Sequence, residues 1–116
     1  MIQHGGDAVE GIVFALTFLE DEAAPGFKEF KSRYLKRFGK APFLPDVYGY
    51  EAATVLNEAL KQSHNFTPGI IKQTILKIKV FPSPISPEGL IINEFGDVER
   101  NVIIVTVKNG RFVRVK

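Results

Sequence analysis

The sequence predicts an α/β chain: one buried-type strand, three helices, then a β-meander that ends in a hairpin. Three observations carry that order. Ile12, Val13, Phe14, Ala15 and Leu16 form an unbroken apolar run rich in β-formers. Phe27, Phe30, Tyr34 and Phe38 recur at helical spacing, as do Ile71, Ile75 and Ile78 further on. Asn109-Gly110 separates two β-rich runs near the end, and both residues tolerate positive φ.

The first element spans Ala8–Phe18, with Gly11 and the acidic run Glu20-Asp21-Glu22 as punctuation. It lacks the apolar–polar alternation of a half-solvated strand, so it reads as a strand covered on both faces, as in a parallel sheet. A buried helix is the competing reading, but the run is short. The second element is a helix over Pro25–Phe38, with Pro at its first position and Gly39 as its stop. Its four aromatics share one face, and Lys28, Lys31, Arg33, Lys36 and Arg37 fill the rest. The basic run from Lys28 to Lys40 is a solvated helix face by default, with docking to an anionic partner as the alternative.

After the link Ala41-Pro42-Phe43-Leu44-Pro45, Asp46 is the expected N-cap of a third element. Tyr48, Ala52, Val55, Leu56, Ala59 and Leu60 form its apolar stripe, to about Gln62. Thr67-Pro68 opens a fourth, running to about Lys79. The stretch Phe81-Pro82-Ser83-Pro84-Ile85-Ser86-Pro87 excludes a helix and suits no central strand. Strands follow at Gly89–Asn93, Asn101–Val107 and Arg111–Val115, with a turn at Phe95-Gly96-Asp97. This order leaves the first strand without parallel neighbours and the three helices without a sheet to cover.

Composition narrows the function. The 116 residues suffice for one ordinary domain, and 45% hydrophobic with 24% charged residues favours a packed core. A net charge of +2 is too balanced to imply nucleic acid. With no Cys, disulfides, thiolate metal sites and a Cys nucleophile are excluded, and with only His4 and His64 so is a three-histidine metal site. No cofactor is expected. The apolar run Gly11–Leu19 is far short of the roughly 20 residues of a membrane span. The first residues do not read as a signal peptide. There is no phosphate loop, nucleophile elbow or metal-ligand spacing, and the adjacent carboxylates Glu20, Asp21 and Glu22 read as a loop, so no enzyme is expected.

Several segments resemble one family, in the right order along nearly the whole chain. Gly6-Asp7-Ala8-Val9-Glu10-Gly11-Ile12-Val13-Phe14 is similar to the Ala-Glu-Gly-Val strand of the type I periplasmic-binding-protein superfamily, in its branched-chain amino acid receptor branch. Phe27, Phe30, Tyr34 and Phe38-Gly39 resemble an aromatic helix of that family, and Pro45-Asp46-Val47-Tyr48-Gly49-Tyr50-Glu51-Ala52-Ala53 its "PD…YDA" segment, with Glu51 where Asp is usual. Phe95-Gly96-Asp97 with Arg100, then Val105-Thr106-Val107-Lys108-Asn109-Gly110-Arg111-Phe112-Val113, resemble its ending.

The resemblance implies the C-terminal portion of a two-lobe receptor whose lobes close on a ligand. On that reading residues 1–19 are the last parallel strand of lobe 2 and a crossing. Residues 20–80 are the helical part of lobe 1, 81–88 a Pro-rich crossing, and 89–116 strands returning to lobe 2. It implies ligand capture without catalysis, for a branched-chain or related amino acid, and a membrane permease as partner. The parent protein would be periplasmic or extracellular. A ligand-sensing regulator of the same fold and a stand-alone self-associating domain are the alternatives. Most polar ligand groups would lie in an earlier part of the family's chain, leaving Leu16, Thr17, Phe18, Tyr48 and Tyr50 here as cleft wall or hinge. Alone, the chain is expected to form a homodimer through surfaces left uncovered.

Overall fold

In a computed structural model, residues 2–20 and 25–115 are described. In chain order the elements are α1 (Ile2–Gly5), a 3-10 turn (Gly6–Val9), β1 (Val13–Leu16), α2 (Pro25–Phe38), α3 (Leu44–Gln62), α4 (Pro68–Ile78), β2 (Val80–Phe81), β3 (Leu90–Ile92), β4 (Val98–Glu99), β5 (Ile103–Lys108) and β6 (Arg111–Arg114). They divide into two units. A discontinuous unit joins Met1–Glu22 to Asn101–Lys116, and a contiguous helical unit takes Ala23–Arg100. Asp21 and Glu22, expected in a loop, lie outside the described residues.

The discontinuous unit is an antiparallel sheet of order β1-β5-β6. One expectation for its first strand is corrected: Ala8 and Val9 belong to the 3-10 turn, so the strand is only Val13–Leu16. Its partner among the described residues is the antiparallel β5, Val13 opposite Thr106 through Leu16 opposite Ile103, on one edge of β1. The absence of alternation nonetheless has a structural counterpart, since both faces of the sheet are apolar. One carries the buried Val105 and Val107, with the Phe14 and Phe112 rings edge to face at 5.2 Å. The other carries Val13, Ala15, Ile104 and Val113, all exposed, Val13 to 60%.

Asn109 and Gly110 adopt φ of 52° and 68°, the paired positive values of a type I′ turn, so the predicted hairpin forms as β5–β6. Its two turn N–H groups point at Glu10. The Glu10 carboxylate accepts from Asn109 at 3.0 Å and from Gly110 at 2.6 Å, which ties the turn to the segment just before β1.

The helical unit packs α3 and α4 on a second antiparallel sheet, β2-β3-β4. Phe81, Leu90 and Ile92 are its buried centre, with Val55, Ile75, Leu76 and Ile78 against them. α2 has the bounds its periodicity predicts, and Phe27 and Phe30 are buried. Its stripe then climbs out of the core: Tyr34 is half-buried and Phe38 exposed, their rings 4.5 Å apart.

α3 begins two residues before the expected cap. Phe43 is the N-cap residue and Asp46 stands at the third helical position, where its Oδ2 accepts the Phe43 N–H at 3.0 Å. Phe43 has no side-chain acceptor, so this is one half of a capping box. Thr67 precedes α4 as expected, but its hydroxyl donates to Asn65 Oδ1 at 3.0 Å rather than capping the helix.

The Pro-rich segment is also corrected. Val80 and Phe81 pair with Ile91 and Leu90, so residues 82–88 form a loop inside one sheet. Gly89, at φ 91°, allows the tight approach, since a Cβ there would lie 2.7 Å from the Phe81 carbonyl oxygen. Leu90–Glu99 therefore stays with the helices, and the chain leaves this unit after Arg100 rather than at residues 81–88.

The start of α3 has a pH signature. The bond from the Phe43 N–H holds the Asp46 carboxyl below its ordinary value, helped by the Tyr34 hydroxyl and by Lys40. A lowered value means the carboxylate stabilises the fold fully above its unfolded pKa of about 4, and loses that effect as pH falls through the lowered value. Thermal unfolding of Asp46→Asn should therefore show a lower Tm than the parent near neutrality and a gap that closes in acid. A gap independent of pH would exclude this account.

Candidate functional site

The five residues expected at a ligand cleft fall in different units. Leu16 ends β1, with Thr17 and Phe18 following, all half-buried in the discontinuous unit. A depression of about 480 Å³ in that unit is lined by the next two residues, Leu19 and Glu20, with Ile2, Gly110, Arg111 and Phe112. Tyr48 and Tyr50 stand on α3 in the helical unit. Two helical positions turn the chain by about 200°, so the two tyrosines face opposite sides. Tyr50 is 41% exposed, its ring 4.9 Å from that of Phe30. Tyr48 is half-buried beneath the Arg100 guanidinium, which lies 4.9 Å from its ring centre.

Arg100 leads to a charged cluster in the interior. Glu51, one turn beyond Tyr48 on the buried side of α3, is 1% exposed. Its Oε2 accepts from Arg100 Nη2 in a close ion pair, and its Oε1 accepts from Ser83 Oγ at 2.5 Å and Arg100 Nη1 at 3.4 Å. Ser83 Oγ in turn accepts the backbone N–H groups of Ile85 at 3.2 Å and Ser86 at 3.1 Å. α3 supplies the carboxylate, the Pro-rich loop the hydroxyl, and the residue after β4 the guanidinium. Among the described residues no buried side-chain N or O lacks a partner.

Sequence reasoning missed Ser83 and Arg100 as members of a site and met Glu51 only as a departure from the family's Asp. A signal existed: Glu51 sits on the apolar stripe, four residues before Val55, where a lone carboxylate requires a partner.

This cluster edges an apolar depression of about 390 Å³ walled by Tyr48, Ala52, Val55, Leu90, Ile92 and Val98. A second depression of about 450 Å³, along Pro68, Ile71, Ile75 and Leu76, meets the first at Ile92. Both can hold apolar surface. The Glu51 carboxylate, accepting from Ser83 and from both terminal nitrogens of Arg100, braces α3 against the Pro-rich loop and the residue after β4. Among the described residues no three His, Asp or Glu side chains are grouped to hold a metal ion, and no helix is long and apolar enough to cross a membrane.

Removing one partner of such a pair leaves a buried charge unmatched. Arg100→Met should destabilise the chain by about 3 kcal/mol, whereas Glu51→Gln with Arg100→Met should recover much of that loss. Denaturant unfolding of the single and double variants measures both. Equal losses in the two would refute the brace.

The sequence matches the family model for periplasmic binding proteins over residues 1–111. A search of curated proteins gives no match. Among solved structures, the leucine binding protein LivK from Thermotoga maritima is 31% identical, with a TM-score of 0.80 over 99% of this chain and 33% of its own. A branched-chain amino acid ABC transporter protein from Thermus thermophilus with bound valine is 20% identical, with a TM-score of 0.74 over 99% of this chain and 35% of its own. A solute binding protein from R. palustris in complex with benzoate is 19% identical, with a TM-score of 0.73 over 98% of this chain and 31% of its own. The chain thus spans about a third of the length of the structures it matches. These relatives are solute-binding proteins, not enzymes. With the family match running from residue 1 to residue 111 and the fold reproduced across the same span, the chain belongs to the periplasmic binding protein family.

Proposed function

We propose that this chain is the C-terminal part of an ABC-transporter solute-binding protein that captures a branched-chain or related amino acid outside the cytoplasm and delivers it to a membrane permease. The observation that carries the reading is the likeness to the leucine binding protein from Thermotoga maritima, at 31% identity over 99% of this chain. The valine complex supports the same ligand class, and the benzoate complex marks how far ligand chemistry ranges on this fold.

Leu16, Thr17, Phe18, Tyr48 and Tyr50 are the cleft-wall or hinge candidates in this reading. Tyr50 keeps 41% of its surface exposed. Leu16–Phe18 follow the carboxyl end of a strand, where ligands sit in such folds once parallel neighbours are present. Tyr48, beneath the Arg100 guanidinium, walls the apolar depression beside Glu51 and is a candidate for the same cleft wall or hinge. The exposed face of Val13, Ala15, Ile104 and Val113 supports self-association of the chain when it stands alone.

A chimera tests the reading. These 116 residues would replace the matching third of the Thermotoga leucine binding protein. Calorimetry should show leucine, isoleucine or valine binding to the folded chimera and none to the 116-residue chain alone, which light scattering should find dimeric. A folded chimera that binds no aliphatic amino acid would overturn the assignment. Tight leucine binding by the short chain alone would show that the ligand groups lie within it, and a clean monomer would remove the self-association.

A further inference from the structure

The hairpin turn carries a reactive pair. Of Asn57, Asn65, Asn93, Asn101 and Asn109, only the last is followed by glycine. That pairing sets an electrophilic side-chain amide beside a backbone nitrogen with no Cβ to hinder it. The Gly110 nitrogen can attack Asn109 Cγ, giving up its proton to water. The tetrahedral adduct expels ammonia and leaves a five-membered succinimide. Water then opens either carbonyl of the ring, giving aspartate or isoaspartate. One water is consumed and one ammonia released, with no oxidant or reductant.

The turn is open to this reaction. Asn109 and Gly110 are both exposed, and a Cβ built on Gly110 would meet no atom within 4 Å. Glu10, from the segment before β1, restrains the attacking nitrogen. Its Oε1 accepts the Gly110 N–H at 2.6 Å and its Oε2 the Asn109 N–H at 3.0 Å. Attack requires that N–H to ionise and the nitrogen to swing towards Cγ. The carboxylate opposes both. Its charge disfavours an amide anion beside it, and its two charge-assisted bonds hold the turn at φ of 52° and 68°.

We infer that Asn109 is a latent deamidation site whose rate is set by Glu10. The inference rests on the turn and does not depend on solute capture. The product does not suit the turn. Lys108 and Arg111 pair across a two-residue loop. Isoaspartate adds a backbone carbon to that loop, and either product sets a new carboxylate beside Glu10. Deamidation therefore releases the terminal hairpin from the segment before β1.

The test incubates the 116-residue chain, its Glu10→Ala variant and an unfolded peptide of Val105–Val115 at mildly alkaline pH. Mass spectrometry and isoaspartyl methylation follow Asn109. The peptide should deamidate fastest and the parent at least about tenfold more slowly, the factor one bond to a charged group supplies. Glu10→Ala should recover about tenfold of that rate. Hydrogen exchange of the β5–β6 amides verifies that the hairpin of the variant is closed; if it opens, Glu10→Gln takes its place. In the parent, which needs no substitution, the Asn109 and Gly110 amides should exchange slowly. A parent as fast as the peptide, a folded variant no faster than the parent, or Gly110 exchange at the free rate would overturn the role of Glu10. A peptide that stays intact would overturn the site itself.

Discussion

A carboxylate at 1% exposure dictates how the helical unit is arranged. Glu51 is tenable in an apolar stripe only because three donors converge on it, and those donors come from segments far apart in sequence. Ser83 lies 32 residues away and Arg100 lies 49 away. The Pro-rich loop must therefore present its hydroxyl inward, and the strand after the Phe95-Gly96-Asp97 turn must end where its guanidinium reaches α3. Apolar side chains of equal volume would hold these segments as well in energy. They would lack direction, since dispersion contacts tolerate sliding and a carboxylate with three donors does not.

Much of this was readable beforehand, because local rules and tertiary packing agree there. The bounds of α2 follow from Pro25, the aromatic spacing and Gly39, and the hairpin follows from the positive φ that Asn109 and Gly110 tolerate. The failures occur where a distant partner decides. Nothing local in Val13–Leu16 shows that its partner is the antiparallel β5, or that Ala8 and Val9 turn away first. Asp46 carries the chemistry of a cap, yet Pro45 fits at the second helical position and lets the helix start earlier. The loop 82–88 has the composition of a link between lobes. Only the packing of Phe81 against Leu90 and Ile92 reveals it as a turn inside one sheet. The candidate site was least legible because ion pairing across 49 residues leaves no periodic trace.

The double apolar character of β1 and β5 connects fold to family. A sheet with one wet face alternates, and this one does not. Val13, Ile104 and Val113 expose 60%, 47% and 42% of their surfaces, while Val105 and Val107 on the opposite face are nearly closed off. The chain that carries this imbalance spans about a third of the length of the proteins it matches.

The Glu10 clamp has a kinetic consequence. It joins the hairpin turn to a residue 99 and 100 positions earlier, in the unit built from the two ends of the chain. Pairing Leu16 with Ile103 closes a loop of nearly the same length, and the length-dependent part of that closure costs about 4 kcal/mol of chain entropy. The helical unit is contiguous and faces no such barrier. During synthesis it can form while the last strands are still being made, whereas the pairing of β1 with β5 waits until the ribosome has released residues 103–108. For that interval the edge of β1 that β5 will cover is open, which makes the order of synthesis, as much as final stability, a point at which this fold is exposed to aggregation.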